Sequence, residues 1–156
     1  MPRCITQSNE NKLVINDNLS GDRIALLYRM PTTQERIQYK ANLVKIKGNK
    51  ISKTQATVTR IAYGKKVITG FEESKIGADG VLEGGFTIME NGKEKPFASD
   101  PKSPNYVENW LELIEKTSAD ILDYLAFHVF ESLQTAPVEL EDDTQDEGGA
   151  VADLGE

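Results

Sequence analysis

One cysteine, Cys4, and one histidine, His128, are the only thiol and the only imidazole in this sequence. A lone cysteine forms no internal disulfide, and these two side chains alone do not make a zinc site. No apolar run approaches the roughly 18 residues that span a membrane. The opening stretch MPRCITQSNENK also lacks the roughly 7–15-residue apolar core of a secretory signal. Disulfide-rich, zinc-finger and membrane-spanning classes are thereby set aside, and a cytoplasmic protein with no membrane partner is expected.

Catalytic signatures are missing as well. There is no G-x-S-x-G elbow. Gly77-x-x-Gly80 and Gly84-Gly85 are not followed by Lys-Ser/Thr, and they do not join a strand to a helix as a phosphate cradle requires. Tight hairpin turns explain them better. Cys4 lies in a polar stretch with only Arg3 beside it to favour a thiolate. His128 falls within an apolar helix, with Tyr124 and Glu131 at the i−4 and i+3 positions and neither Asp120 nor Asp123 at a helical spacing. A half-buried histidine at a helix seam is the plain reading. The pairs Glu72/Glu73 and Asp142/Asp143 read as solvated charge. No enzyme, cofactor or metal is expected.

What the sequence does have is 156 residues, 38% of them hydrophobic, which is enough for one domain with a real core. Its net charge of −7 is unevenly placed. Eight acids and no bases follow Thr135, so 17 acids and 18 bases remain in a nearly neutral body. Within that body Arg36, Lys40, Lys45, Lys47, Lys50, Lys53, Arg60, Lys65 and Lys66 form a basic stretch with no acid among them. Four readings of it stay open: a solvated helix face, a nucleic-acid patch, a dock for an acidic protein segment, and a seat for the acidic end of the chain. Nucleic acid is disfavoured, because the body is near neutral and Tyr39 and Tyr63 are the only aromatics in the stretch.

The pattern predicts an α+β fold. Residues 1–11 read as a flexible N-terminus, 12–134 as one domain and 135–156 as a disordered acidic tail. Lys12–Ile15 and Ile24–Met30 read as a hairpin around Asn18–Asp22, with Ile24, Leu26, Tyr28 and Met30 on one face. A helix follows, opened by a Thr32/Glu35 capping box, with Ile37, Ala41 and Val44 as its apolar stripe and Gly48 as its exit. Ser52 and Gln55 open a second helix along Val58, Ile61, Ala62 and Ile68, to end at Gly70; Gly64 argues against it. Asn91-Gly92 turns a Gly-rich hairpin made of Phe86–Glu90 and Lys93–Phe97. Ser103-Pro104 opens a third helix along Val107, Trp110, Leu111 and Ile114. Thr117 and Asp120 open a fourth along Ile121, Leu122, Leu125, Val129 and Leu133. Phe127 and Phe130 widen the apolar surface of that last helix, and Trp110, Phe127 and Phe130 are candidate interface residues.

The segments LLYRMPTTQERIQY, IAYGKKVITGF and NWLELIEKTSADILDYLAFHVFESL, taken in this order, carry a resemblance. Together with the R-x-P-T-x-x-E junction from Arg29 to Glu35, they resemble tail-assembly chaperone-like proteins of phage and prophage tail operons. The likeness runs over most of residues 20–134, leaves out the Gly-rich hairpin at 80–98, and holds no catalytic signature from which a residue's role carries over. It implies a non-enzymatic protein, in the cytoplasm of a bacterial host, that holds an aggregation-prone tail component through apolar helices. The partner is then another protein, typically the tape-measure protein, or a second copy of the chain. The competing reading is a small regulatory or nucleic-acid-binding protein using the basic segment 36–66.

Overall fold

A computed structural model describes residues 2, 10–43, 46–47, 50–51 and 53–132 of the chain. Cys4, the end of the N-terminal segment, Leu133 and the acidic tail lie outside the described residues. Strand β1 (Glu10–Asn16) pairs antiparallel with β2 (Arg23–Arg29) through all seven positions, from Glu10 opposite Arg29 to Asn16 opposite Arg23. Glu10 and Asn11, expected in the flexible N-terminus, therefore belong to the sheet. The Asp17 carboxylate closes the turn, accepting from the Leu19 N–H at 3.2 Å and the Ser20 hydroxyl at 2.8 Å. Ile24, Leu26 and Tyr28 alternate onto the buried face as predicted, while Met30 is 40% exposed beyond the strand end.

Helix α1 (Thr33–Leu43) starts on the predicted box: the Glu35 N–H donates to Thr32 Oγ1 at 3.1 Å and the Thr32 N–H to Glu35 Oε1 at 2.9 Å. Its buried side is not the expected stripe. Ile37 is 64% exposed and Ala41 is exposed, whereas Tyr39 is wholly buried. Two short strands, β3 (Ile46–Lys47) and β4 (Lys50–Ile51), lead into α2 (Lys53–Val67), so Lys47 stands in a strand. The α2 stripe is also displaced, onto Thr59, Tyr63 and Val67, leaving Val58 and Ala62 outside.

Helix α2 runs straight into a strand that the periodicity missed. Ile68 opens β5 (Ile68–Phe71), which pairs antiparallel with the free side of β2 and gives the sheet order β1-β2-β5. Gly70, expected to end the helix, is inside this strand. Two hairpins follow, β6 (Lys75–Ile76) with β7 (Leu82–Glu83) and β8 (Thr87–Glu90) with β9 (Lys93–Pro96). Asn91 and Gly92 both take positive φ, +52° and +79°, as a two-residue I′ turn needs.

The third helix begins later than predicted. Ser103 and Pro104 lie in turns, where the Ser103 hydroxyl and the Asn105 amide both donate to Glu73, at 2.8 and 2.6 Å. The Val107 N–H bonds back to the Ala98 carbonyl, so α3 (Trp110–Thr117) starts only at Trp110. Thr117 does not cap the next helix, because its hydroxyl is turned back to the Leu113 carbonyl at 2.7 Å. Ser118 separates α3 from α4 (Ala119–Ala126), which continues as a π-helical turn, Phe127–Glu131.

The helices cover one face of the sheet, and the core lies between them. Tyr39, Tyr63 and Phe130 form one aromatic cluster, with Tyr39 stacked on Phe130 at 4.4 Å. Phe71 joins Phe86, Phe97 and Trp110 in a second. Among the described residues no helix is long and apolar enough to cross a membrane.

Candidate interaction surface

Three bases of the basic stretch, Arg36, Arg60 and Lys65, are committed to internal partners. Arg60 is a structural residue: its Nε and Nη2 donate to the Glu131 carboxylate at 2.7 and 3.2 Å, and Tyr39 donates its hydroxyl to the same group. Arg36 reaches the Val129 carbonyl at 3.2 Å, and Lys65 pairs with Glu115 at 2.8 Å. Lys66 lies over the Tyr63 ring, 4.5 Å from its centroid. Lys40 is exposed. Lys47 and Lys50 are partners in the β3–β4 ladder, Lys53 opens α2, and Lys45 lies outside the described residues. The acids that serve this stretch come from the C-terminal helices, which local charge counting could not reveal.

The electrostatics of the network follow from its geometry. The Glu131 carboxyl is desolvated by burial, yet the hydrogen bonds from Arg60 and Tyr39 outweigh this and hold it below the usual carboxylate range. Arg60 is held more firmly protonated by its bond to Glu131. Burial, followed by the bond to Glu131, pushes the Tyr39 phenol up. Asp123, 3.9 Å from Arg60, is raised by desolvation. These groups are bonded to one another, and none lines the two clefts described below.

Of the three candidate interface residues, two belong to the packed interior. Phe130 is only 6% exposed and sits inside the Tyr39–Tyr63 cluster, a correction to its expected role. Trp110 is partly buried edge-on to Phe71, 5.8 Å between centroids. Phe127 is the one turned outward, 46% exposed, with the Arg60 guanidinium 5.8 Å from its ring centroid. Tyr124, three residues earlier and on the same side of the helix, is half exposed too.

Beside Tyr124 lies a cleft of about 520 Å³. Its walls are Val14, Ile15 and Asn16 at the end of β1, the turn Asp17–Leu19, and Asp120, Ile121 and Tyr124 of α4. Val14 is 53% and Leu19 95% exposed, so the cleft has an apolar rim, with two carboxylates and no basic side chain in its lining. An apolar residue in the otherwise polar turn Asn18-Leu19-Ser20-Gly21 was the one sequence signal for this surface.

A larger hollow of about 740 Å³ follows β5 and carries Glu10, Glu72, Glu73 and Asp100. Its polar groups are engaged in structure. Thr69 donates to Glu10 at 2.8 Å, Glu73 is held by Ser103 and Asn105, and buried Ser99 serves the Phe71 backbone. No cluster of three metal-ligating side chains occurs among the described residues. His128 is partly buried, with its ring edge-on to Tyr28 at 6.1 Å.

No protein-family model, curated protein or solved structure matches this chain.

Proposed function

We propose that the protein acts without chemistry, as a binding protein that holds another protein through the outward side of α4, and that the protein held is a phage or prophage tail component before assembly. The observation that carries this reading is the pair Tyr124 and Phe127, left exposed on a helix whose other side is fully packed. Apolar side chains at such a spacing on one helix face are what an amphipathic partner segment docks against. Arg60, Glu131, Tyr39 and Lys65 are engaged in internal ion pairs and hydrogen bonds, which favours a holding role over catalysis. The tail assignment rests on the sequence resemblance alone. The nucleic-acid alternative is weakened because Arg36, Arg60 and Lys65 already serve internal partners.

Co-expression with a phage tape-measure protein tests the proposal. The full chain is expected to raise the soluble fraction of that protein, and Phe127→Glu to abolish the gain while the variant itself stays folded. Equal solubility with and without the chain defeats the tail assignment.

A further inference from the structure

We infer that β1 is an interface between two copies of this chain, its Leu13–Asn16 edge pairing antiparallel with the same edge of the second copy to give one continuous sheet of six strands. The inference goes beyond the holding role proposed above and names what fills the β1–α4 cleft. It does not involve Phe127, which stands outside the cleft lining.

The two ends of the three-stranded sheet are built differently. β5 is four residues long, contains Gly70, and meets β2 with a slip in register between Leu27 and Tyr28. The Ser99 hydroxyl closes that end, accepting the Phe71 N–H at 3.0 Å and donating to the Phe71 carbonyl at 3.4 Å. Short length, irregularity and a covering group are the usual ways in which a sheet edge is kept from pairing. Among the described residues the Lys12–Asn16 part of β1 shows none of them. The whole strand is seven residues long, holds no glycine or proline, keeps one register throughout, and among the described residues pairs with a strand on one side only.

Charge is the other common guard, and here it is drawn away. Glu10 is bonded to Thr69 and Lys12 is ion-paired with Glu72, both reaching across the outer face of the sheet toward β5 and its continuation. The edge beside the cleft is therefore Leu13, Val14, Ile15 and Asn16, with no charge.

That edge is self-complementary. Side chains keep to one face only when paired residues have matching parity. The register that places Val14 opposite Val14 of the second copy then sets Leu13 opposite Ile15, twice, and Lys12 opposite Asn16. No like charges meet, and Leu13 and Ile15, already half-buried against the core, gain apolar neighbours. The result is a closed two-fold interface, the commonest kind in homo-oligomers. The α4 wall of the cleft, Ile121 and Tyr124, then forms the floor beneath the added strand.

Sedimentation of the full chain, with a cysteine scan at the two-fold axis, decides the matter. The wild type is expected to sediment at twice the monomer mass in a concentration-dependent way. Val14→Cys, in a Cys4→Ser chain, should form a disulfide-linked dimer on oxidation, because residues opposed across an antiparallel pair stand about 4.5–5.5 Å apart at Cα. Val14→Lys should lose the dimer while keeping the wild-type circular dichroism, and Val14→Ile should keep it. A wild type that sediments as a monomer at every concentration overturns the inference. So does a dimer that survives Val14→Lys and fails to cross-link through Val14→Cys, since another surface is then responsible. Capture of a tail component is read separately by Phe127→Glu, since Phe127 stands outside the cleft lining.

Discussion

Gly64 of α2 lies against the backbone carbonyl of Leu122 in α4, so close that a β-carbon at position 64 would fall well inside contact distance of that oxygen. Glycine inside a helix ordinarily costs about 1 kcal/mol relative to alanine. Here that cost is offset by a helix crossing that no other residue permits. Gly64→Ala, which would stabilise an isolated helix, should destabilise this protein by about 2–3 kcal/mol, in the range of core overpacking. Thermal unfolding measures it, and a raised melting temperature would show that the two helices are not in contact.

Phe127 and Phe130 are three residues apart and should respond in opposite ways. Phe130→Ala empties part of the Tyr39–Tyr63 cluster and is expected to cost about 3–5 kcal/mol. Phe127→Ala gives up a partly exposed ring and one weak contact with Arg60, within about 1 kcal/mol. Urea unfolding of both variants checks the contrast. Equal losses would place both rings in the core.

Glu131 is the acceptor for both Arg60 and Tyr39. Glu131→Gln leaves the partly buried Arg60 guanidinium with only the more distant Asp123, at 3.9 Å, as counter-charge, and about 2–3 kcal/mol of stability should go with it. Replacing Arg60 by Met in that background should cost much less than in the wild type, and a double-mutant cycle reads the coupling. Additive losses would mean that the pair is not coupled.

Glu35 gives the protein an acid limit. Its carboxyl is held at about 2 by the two Arg29 N–H donors, at 2.9 and 2.8 Å, with help from the Thr32 N–H. Its folded-state pKa is therefore lower than its unfolded value, near 4.5, so its stabilisation is fully present above pH 4.5 and is lost as the pH falls toward 2. Glu131, also held low, acts in the same direction. The melting temperature should fall across this window, and Glu35→Gln should flatten part of the fall. A profile that Glu35→Gln leaves unchanged would contradict the pairing with Arg29.

Ser99 should be irreplaceable by alanine at low cost. Its hydroxyl is the acceptor for the buried Phe71 N–H, and Ser99→Ala strands that donor for about 1–3 kcal/mol. Amide exchange at Phe71 should quicken in the variant. Unchanged protection there would mean that another group takes the hydrogen bond.

Local patterns were legible where the sequence neighbours themselves make the structure. The Thr32–Glu35 box, the alternation of Ile24, Leu26 and Tyr28, and the Asn91-Gly92 turn need nothing from elsewhere in the chain. What failed depends on distant partners. Ile37 and Ala41 keep helical spacing, but Tyr39 is buried instead because its ring stacks on Phe130 and its hydroxyl finds Glu131. Ser103 looks like a helix cap, but its hydroxyl is taken by Glu73, thirty residues back. β5 hid within an apparent helix tail, since a four-residue strand containing Gly70 shows no periodicity of its own. The cleft was hidden for a related reason: Leu19 and Tyr124 line one cleft only because β1 ends beside α4.

The Glu131 carboxylate also sets an order of events during synthesis. Tyr39 and Arg60 leave the ribosome long before residue 131 does, 92 and 71 positions earlier in the chain. Until it emerges, α1 and α2 present an aromatic cleft and an unmatched guanidinium to their surroundings. The Tyr39 and Arg60 bonds of the helical layer are therefore completed only after residue 131 emerges, and until then the nascent N-terminal half carries exposed apolar surface of the kind that mispairs.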